Sequence, residues 1–175
     1  MLVAAGVLGT IGAIIKVANT VAVARESRRD PSEPVALLVN AGAFYNTFIG
    51  TALGLTAGGM ARRGRMDAHA ELFEGRPATR KRRFALGWGL LGGGVGLWGI
   101  TRIIGGTSCG TQVCTARVWE TGYYLSLGAT VPGSIMAGYA TGFRRYRKRF
   151  GHLAAVKVAP IAHRDAWGLS LSGRF

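Results

Sequence analysis

The sequence predicts an all-α membrane protein: a four-helix transmembrane bundle followed by a short C-terminal β-hairpin-like tail. Three observations carry that prediction. Only 17% of the 175 residues are charged, and mean hydropathy is positive at +0.23. Four stretches, 2–24, 34–61, 84–104 and 121–143, contain no Asp or Glu and are long enough to cross a hydrocarbon core, which takes about 20 apolar residues as a helix. The arginines are bunched between these stretches. A soluble core helix would be shorter and would show a polar face.

The first span carries Lys16, the one formal charge well inside a span, with Asn19 and Thr20 beside it. It lacks a basic start and a small-x-small cleavage site, so it is expected to stay as an uncleaved helix. Lys16 lies roughly two helical turns from Arg25 and is expected to snorkel toward the outer interface. The second span holds Asn40 and Asn46. The third has seven glycines between Gly87 and Gly99, which suggests a central helix packed on several sides. In the fourth, Pro132 removes one backbone hydrogen bond and is expected to bend the helix.

Lipid tails are as apolar as leucine, so helices associate in a bilayer through close packing and interhelical polar contacts. Small residues recur here at four-residue spacing. Ala5, Gly9 and Ala13 share a face of the first span, and Ser126, Thr130, Ser134, Gly138 and Gly142 share one of the fourth. Gly50, Gly54, Gly89, Gly93, Gly96 and Gly138 are the predicted helix-packing positions.

Charge predicts orientation. Residues 62–83 hold eight basic groups and residues 144–175 another eight, against three in 25–33 and two in 102–120. Basic segments are retained in the cytoplasm, which places both termini inside. The two cysteines, Cys109 and Cys114, fall in the loop placed outside. A close pair in an exported loop predicts a disulfide; zinc would need two further ligands.

Met66–Glu74 puts Asp67, Glu71 and Glu74 on one helical face and Met66, Ala70 and Phe73 on another, predicting a short amphipathic helix on the inner membrane surface. His69 near Asp67 and Glu71 is discounted as a metal site, because so many arginines flank it. The chain thus divides into a transmembrane domain, 1–143, and a basic stretch with an amphipathic β tail, 144–175. In that tail, 156–160 and 167–175 alternate with a period of two, and His163-Arg164-Asp165 forms the turn. The ending Gly-Leu-Ser-Leu-Ser-Gly-Arg-Phe, after multiple apolar spans, resembles that of uncharacterised multi-span bacterial envelope membrane proteins. The resemblance implies a bacterial membrane location and no activity. An outer-membrane barrel is rejected, since it needs many alternating strands.

The net charge of +14 does not point to nucleic acid, because the basic groups flank apolar spans, where they anchor topology and attract anionic lipid headgroups. Trp88, Trp98, Trp119, Tyr123 and Tyr124 suit the interfacial belt. No catalytic motif is present, and carboxylates and histidines are absent from all four spans, which argues against a proton-coupled pump. The expectation is a non-enzymatic inner-membrane subunit without cofactor or metal. It would be a structural or accessory part of an envelope complex, in contact with the lipid bilayer and with other membrane subunits or itself. The alternative is a small oligomeric channel or exporter built on the Gly-rich helices.

Overall fold

The computed structural model describes residues 1–29, 34–76, 84–154, 157–163 and 166–172, and side-chain surroundings for all of these except 27, 29, 34–41, 43 and the residues from 154 on. Four helices run in order, α1 (Leu2–Arg29), α2 (Pro34–Phe73), α3 (Phe84–Ser108) and α4 (Gln112–Ala154). Two strands follow, β1 (Lys157–His163) and β2 (Ala166–Ser172). Each sequence-predicted span lies inside one helix, but α2 and α4 outrun theirs. Among the described residues, two helices are long and apolar enough to cross a membrane: α1 over Leu2–Glu26 and α3 over Phe84–Ser108. In α2 and α4 the apolar residues are diluted by Gly, Ser, Thr, Asn and Tyr, which is what a helix flanked by other helices needs for close approach.

The packing is built around α4. It takes α2 on one side and α3 on the other, while α1 packs principally on α2. Ala57 and Ala61 of α2 meet Gly138 and Gly142 of α4 in ascending order, so these two helices run parallel. Gly87 lies against Met136 and Ala137, Gly94 against Ser126 and Thr130, and Gly105 against Val118 and Trp119, so α3 runs antiparallel to α4. Likewise Gly59 meets Leu2 and Gly12 meets Phe48 and Ile49, so α1 runs antiparallel to α2. The start of α1, the start of α3 and the basic stretch of α4 therefore share one end of the bundle.

Within the chain, the seams use other glycines than most of those expected to pack. Among the described residues, a Cβ on Gly50, Gly54, Gly89, Gly93 or Gly96 would meet nothing within 4 Å. Of the six predicted glycines, Gly138 alone sits in an intramolecular seam, where an added Cβ would collide with the Ala57 carbonyl. The third helix is not central either. Its face toward α4 repeats every seven residues through Gly87, Gly94 and Thr101, the spacing of a left-handed crossing, and Thr101 lies against Gly122. Rows at four-residue spacing, such as Gly89 with Gly93, fall on the opposite side. In α4 the predicted row does pack, but on two partners. Each four-residue step advances about 40° around a helix of 3.6 residues per turn. The row therefore drifts from α3 at Ser126 and Thr130 to α2 at Gly138 and Gly142.

Two segments expected to lie between the spans belong to the long helices. Residues 66–73 continue α2 beyond the span and do not form a separate helix on the membrane surface. Ala68 is fully buried, and Tyr139 Oη donates to Asp67 Oδ2 at 2.6 Å, so this extension packs on α4. It stops at Gly75, whose positive φ of 67° lets Arg76 N donate back to Ala70 O at 3.2 Å, a glycine cap. At the other end α4 starts early, at Gln112, with Thr111 as N-cap: its Oγ1 accepts from Cys114 N at 3.3 Å. Cys109 and Cys114 lie at disulfide distance across this turn, with Sγ atoms 2.05 Å apart and Cα atoms 5.5 Å apart. Helix α4 passes through both Pro132 and residue 143 without a break in its helical course, so the expected domain boundary falls inside it.

β1 and β2 pair antiparallel, with Lys157 opposite Ser172 and His163 opposite Ala166. Neither strand has a second neighbour in this two-stranded sheet, so Pro160 can sit in β1 without removing a ladder bond on both sides. Arg164 and Asp165 of the expected turn, the final Gly173-Arg174-Phe175, and Arg80–Arg83 lie outside the described residues, as do the side chains of Asn40 and the tail.

Alanine scanning separates the seams from the open faces. Gly94→Ala and Gly138→Ala should each lower stability in detergent by ~1–3 kcal/mol, because each Cβ meets backbone. Gly93→Ala and Gly96→Ala should be neutral or should stabilise by up to about 1 kcal/mol through helix propensity. Equal losses at all four positions, measured by thermal unfolding, would show the seam to be misplaced.

Candidate functional site: a buried lysine–glutamate pair

The early start of α4 carries Glu120 out of the expected loop and into the helix bundle, two turns past the N-cap. There it meets Lys16. Lys16 does not snorkel: it is 2% exposed, and its Nζ donates to Glu120 Oε1 at 3.0 Å. The ammonium lies over three tyrosine rings, 5.0 Å from the centroid of Tyr45, 5.2 Å from Tyr123 and 5.5 Å from Tyr124. Helices α1, α2 and α4 each contribute to this cage. Tyr45 and Tyr123 meet edge to face at 5.4 Å, the arrangement aromatic pairs prefer.

Thr20, one turn after Lys16, completes the carboxylate's surroundings. Its hydroxyl is 2.9 Å from Glu120 Oε1, 3.0 Å from the Lys16 carbonyl and 3.1 Å from Tyr124 Oη. A hydroxyl has one proton, so it donates to one of the two acceptors while Tyr124 can donate to it. α3 closes the layer from the far side. Arg102 Cζ stands 4.2 Å from the Trp119 ring and 5.4 Å from the Trp98 ring, and Trp119 Nε1 donates to the Arg102 carbonyl at 3.1 Å. Trp119 thus packs inside as a partner of Arg102, while Trp98 and Trp88 remain exposed on α3.

The chemistry open to this cluster is narrow. The space enclosed by Lys16, Tyr45, Arg102, Trp119, Glu120 and Tyr123 is about 10 Å³, room for one water at most and too small for a substrate. Tyr123 Oη and Asn19 Nδ2 are buried without a hydrogen-bond partner among the described residues. Among the described residues, no group of three His, Cys, Asp or Glu side chains is placed to hold a metal ion. His69 instead lies 5.0 Å from the Phe73 ring and 6.1 Å from the Tyr146 ring, and 3.8 Å from Glu74. What the pair does is physical. It ties α1 to α4 and lets two charges be buried together as a compensated unit.

Sequence reasoning missed this site because Glu120 was placed in a loop. One signal was available. A lysine inside an expected span demands a counter-charge, and Glu120 is the carboxylate next to the fourth expected span. No family model matches the chain, and neither a curated protein nor a solved structure matches it.

Removing one partner leaves the other charge buried alone, which costs ~3–5 kcal/mol. Lys16→Met and Glu120→Gln should therefore each destabilise the protein strongly, and the double variant should recover most of the loss. A thermal double-mutant cycle in detergent checks this; strictly additive losses would show that the two groups do not interact.

Proposed function

We propose that this chain is a non-enzymatic, multi-pass membrane protein of the bacterial inner membrane, with four spans and both ends cytoplasmic, acting as a structural or accessory subunit of an envelope complex. One observation carries the reading: many large apolar side chains stand exposed on the outer faces of the helices, while polar ones, Lys16 among them, lie buried beside small and aromatic residues. The buried side chains include Lys16, Asn19, Ser126, Thr130 and Ser134. The exposed ones include Val3 at 83%, Ile14 at 63% and Ile103 at 66%. Only 22% of the apolar window of α1 and 11% of that of α3 are buried, so these are not the core helices of a water-soluble fold.

The helix directions support the topology. The basic clusters at Arg62–Arg65 and Arg144–Arg149 share the end where α1 begins, and the cysteine turn lies at the other. The positive end belongs in the cytoplasm, which leaves the cysteines in the oxidising compartment. The lipid bilayer and its anionic headgroups are the immediate surroundings.

A second reading, a small oligomeric channel or exporter, is favoured by the open glycines Gly89, Gly93 and Gly96 on the outer face of α3, a surface another helix can approach closely. Gly93→Leu decides between the two. For an accessory subunit the chain's own oligomeric state, read by crosslinking in native membranes, should be unchanged; for the channel it should drop to monomer with helicity retained.

Topology is tested directly. The chain should remain in carbonate-washed membranes, reporters fused after Arg65 and Phe175 should behave as cytoplasmic, and one after Ser32 should behave as exported. The unreduced protein should expose no reactive thiol on denaturation. The reverse reporter pattern, or two free thiols per chain, would overturn the orientation.

A further inference from the structure

At the basic end of the bundle, α4 leaves the apolar layer at Phe143 and carries Arg144, Arg145, Arg147, Lys148 and Arg149 within six residues. All five are exposed. Like charges three and four residues apart on a helix repel, and among the described residues none of the five has an acidic partner within ion-pair distance. Helical spacing sorts them into two rows. Arg144, Arg147 and Lys148 share one flank of α4; Arg145 and Arg149 share the next, about 100° around the axis.

Each row lines one cleft of its own, and a third hollow between them draws on both. On the first flank a hollow of about 430 Å³ lies between Phe84 of α3 and Tyr139, Phe143, Arg144, Arg147 and Lys148 of α4. The Arg144 guanidinium lies 5.1 Å from the Phe84 centroid. An adjoining hollow, lined by Phe84, Trp88, Thr141, Arg144, Arg145 and Lys148, lies between the two rows and runs on to the exposed apolar face of α3 at Trp88. On the second flank, a hollow of about 510 Å³ is bounded by Arg145, Arg149, Tyr146 and Phe150 of α4 and by Ala61 and Arg65 of α2. Both clefts therefore combine clustered cations with an aromatic wall, where the apolar layer ends.

We infer that these are two discrete acidic-phospholipid sites, one on each flank of α4. The phosphate of each lipid accepts charge-assisted hydrogen bonds from a cation row, and its glycerol and acyl chains lie along the aromatic wall toward the apolar layer. On the first flank Phe84 and Trp88 line that path. Charge selects an anionic headgroup, and the continuity of cleft and apolar face selects a lipid over a soluble phosphate. The inference rests on the membrane reading above and adds to it a stoichiometry and two separable sites.

Native mass spectrometry of the full chain released from mixed detergent and lipid micelles tests it. Wild type should retain two phosphatidylglycerol molecules and no phosphatidylcholine. Arg144→Gln/Arg147→Gln/Lys148→Gln should retain one, Arg65→Gln/Arg145→Gln/Arg149→Gln should retain one, and the six-fold variant none. Equal retention by wild type and the six-fold variant, or of phosphatidylcholine and phosphatidylglycerol, would overturn the proposal. Retention of glycerol phosphate in place of the lipid would assign the clefts to a soluble anion and overturn it equally. Should a variant lose helicity, the wild-type chain still decides, because bound phosphatidylglycerol should fall steeply with added salt and excess phosphatidylcholine should not displace it. A chain washed from membranes by carbonate would sink the membrane reading. A chain that stays in the membrane and retains no phosphatidylglycerol would sink this inference alone.

Discussion

Two helices must approach α4 closely at once, and the rest of the bundle depends on that constraint. On the membrane reading proposed above, there is no hydrophobic gain from bringing helices together, and association rests on contact between backbones and on the few polar groups between them. On α4, Gly122, Ser126, Thr130, Gly133, Gly138 and Gly142 mark the points of closest approach to α2 and α3, and an added Cβ at these glycines would meet the neighbouring helix. The drift of this row around the helix gives α3 the first half and α2 the second. Once α2 is set parallel to α4 and α3 antiparallel, the short connection through Cys109–Cys114 and the antiparallel α1 follow. So do the contents of each layer.

The layer near the cysteine turn shows how such a bundle accommodates charge. Lys16 could remain on α1 only if something at the same depth compensated it, and α4 supplies Glu120 there because its helix starts at Gln112. A buried ion pair is weak evidence of net stabilisation, since desolvation offsets much of the attraction. Its firmer consequence is registry. A shift of one turn between α1 and α4 would move Lys16 roughly 5.4 Å from its carboxylate and out of the tyrosine cage, so the pair fixes how α1 sits on a bundle it otherwise touches chiefly through α2.

The two ends of the molecule handle charge in opposite ways. At one end a single lysine is enclosed by a carboxylate, hydroxyls and three aromatic rings. At the other, five cations on consecutive turns of α4 stand outside the helix contacts, beside aromatic walls and open clefts. The enclosed charge serves the fold. The open ones face the surroundings, and an array of that sign at the edge of an apolar layer is complementary to a phosphate plane. The extensions of α2 and α4 past the spans hold this array in place, through Tyr139 on Asp67 and Gly64 against Tyr139 and Phe143.

By itself the sequence determined that the chain is helical, where its apolar stretches lie, and that Cys109 and Cys114 are close enough to bridge. Length, the scarcity of charge and five-residue separation are local properties that hold whatever the neighbours do. Tertiary structure decided which glycines are seams. A glycine row marks only a face that permits approach, and which face is used depends on the crossing angle: the seven-residue repeat through Gly87 and Gly94 was chosen over the four-residue row of Gly89 and Gly93. Helix ends were decided the same way. Residues 66–73 and 112–120 are too polar to read as spans, yet they stay helical because each packs against, or is capped beside, a neighbouring helix. The Lys16–Glu120 pair was hidden for that reason, since two residues 104 positions apart become partners only when α1 and α4 are brought to the same depth.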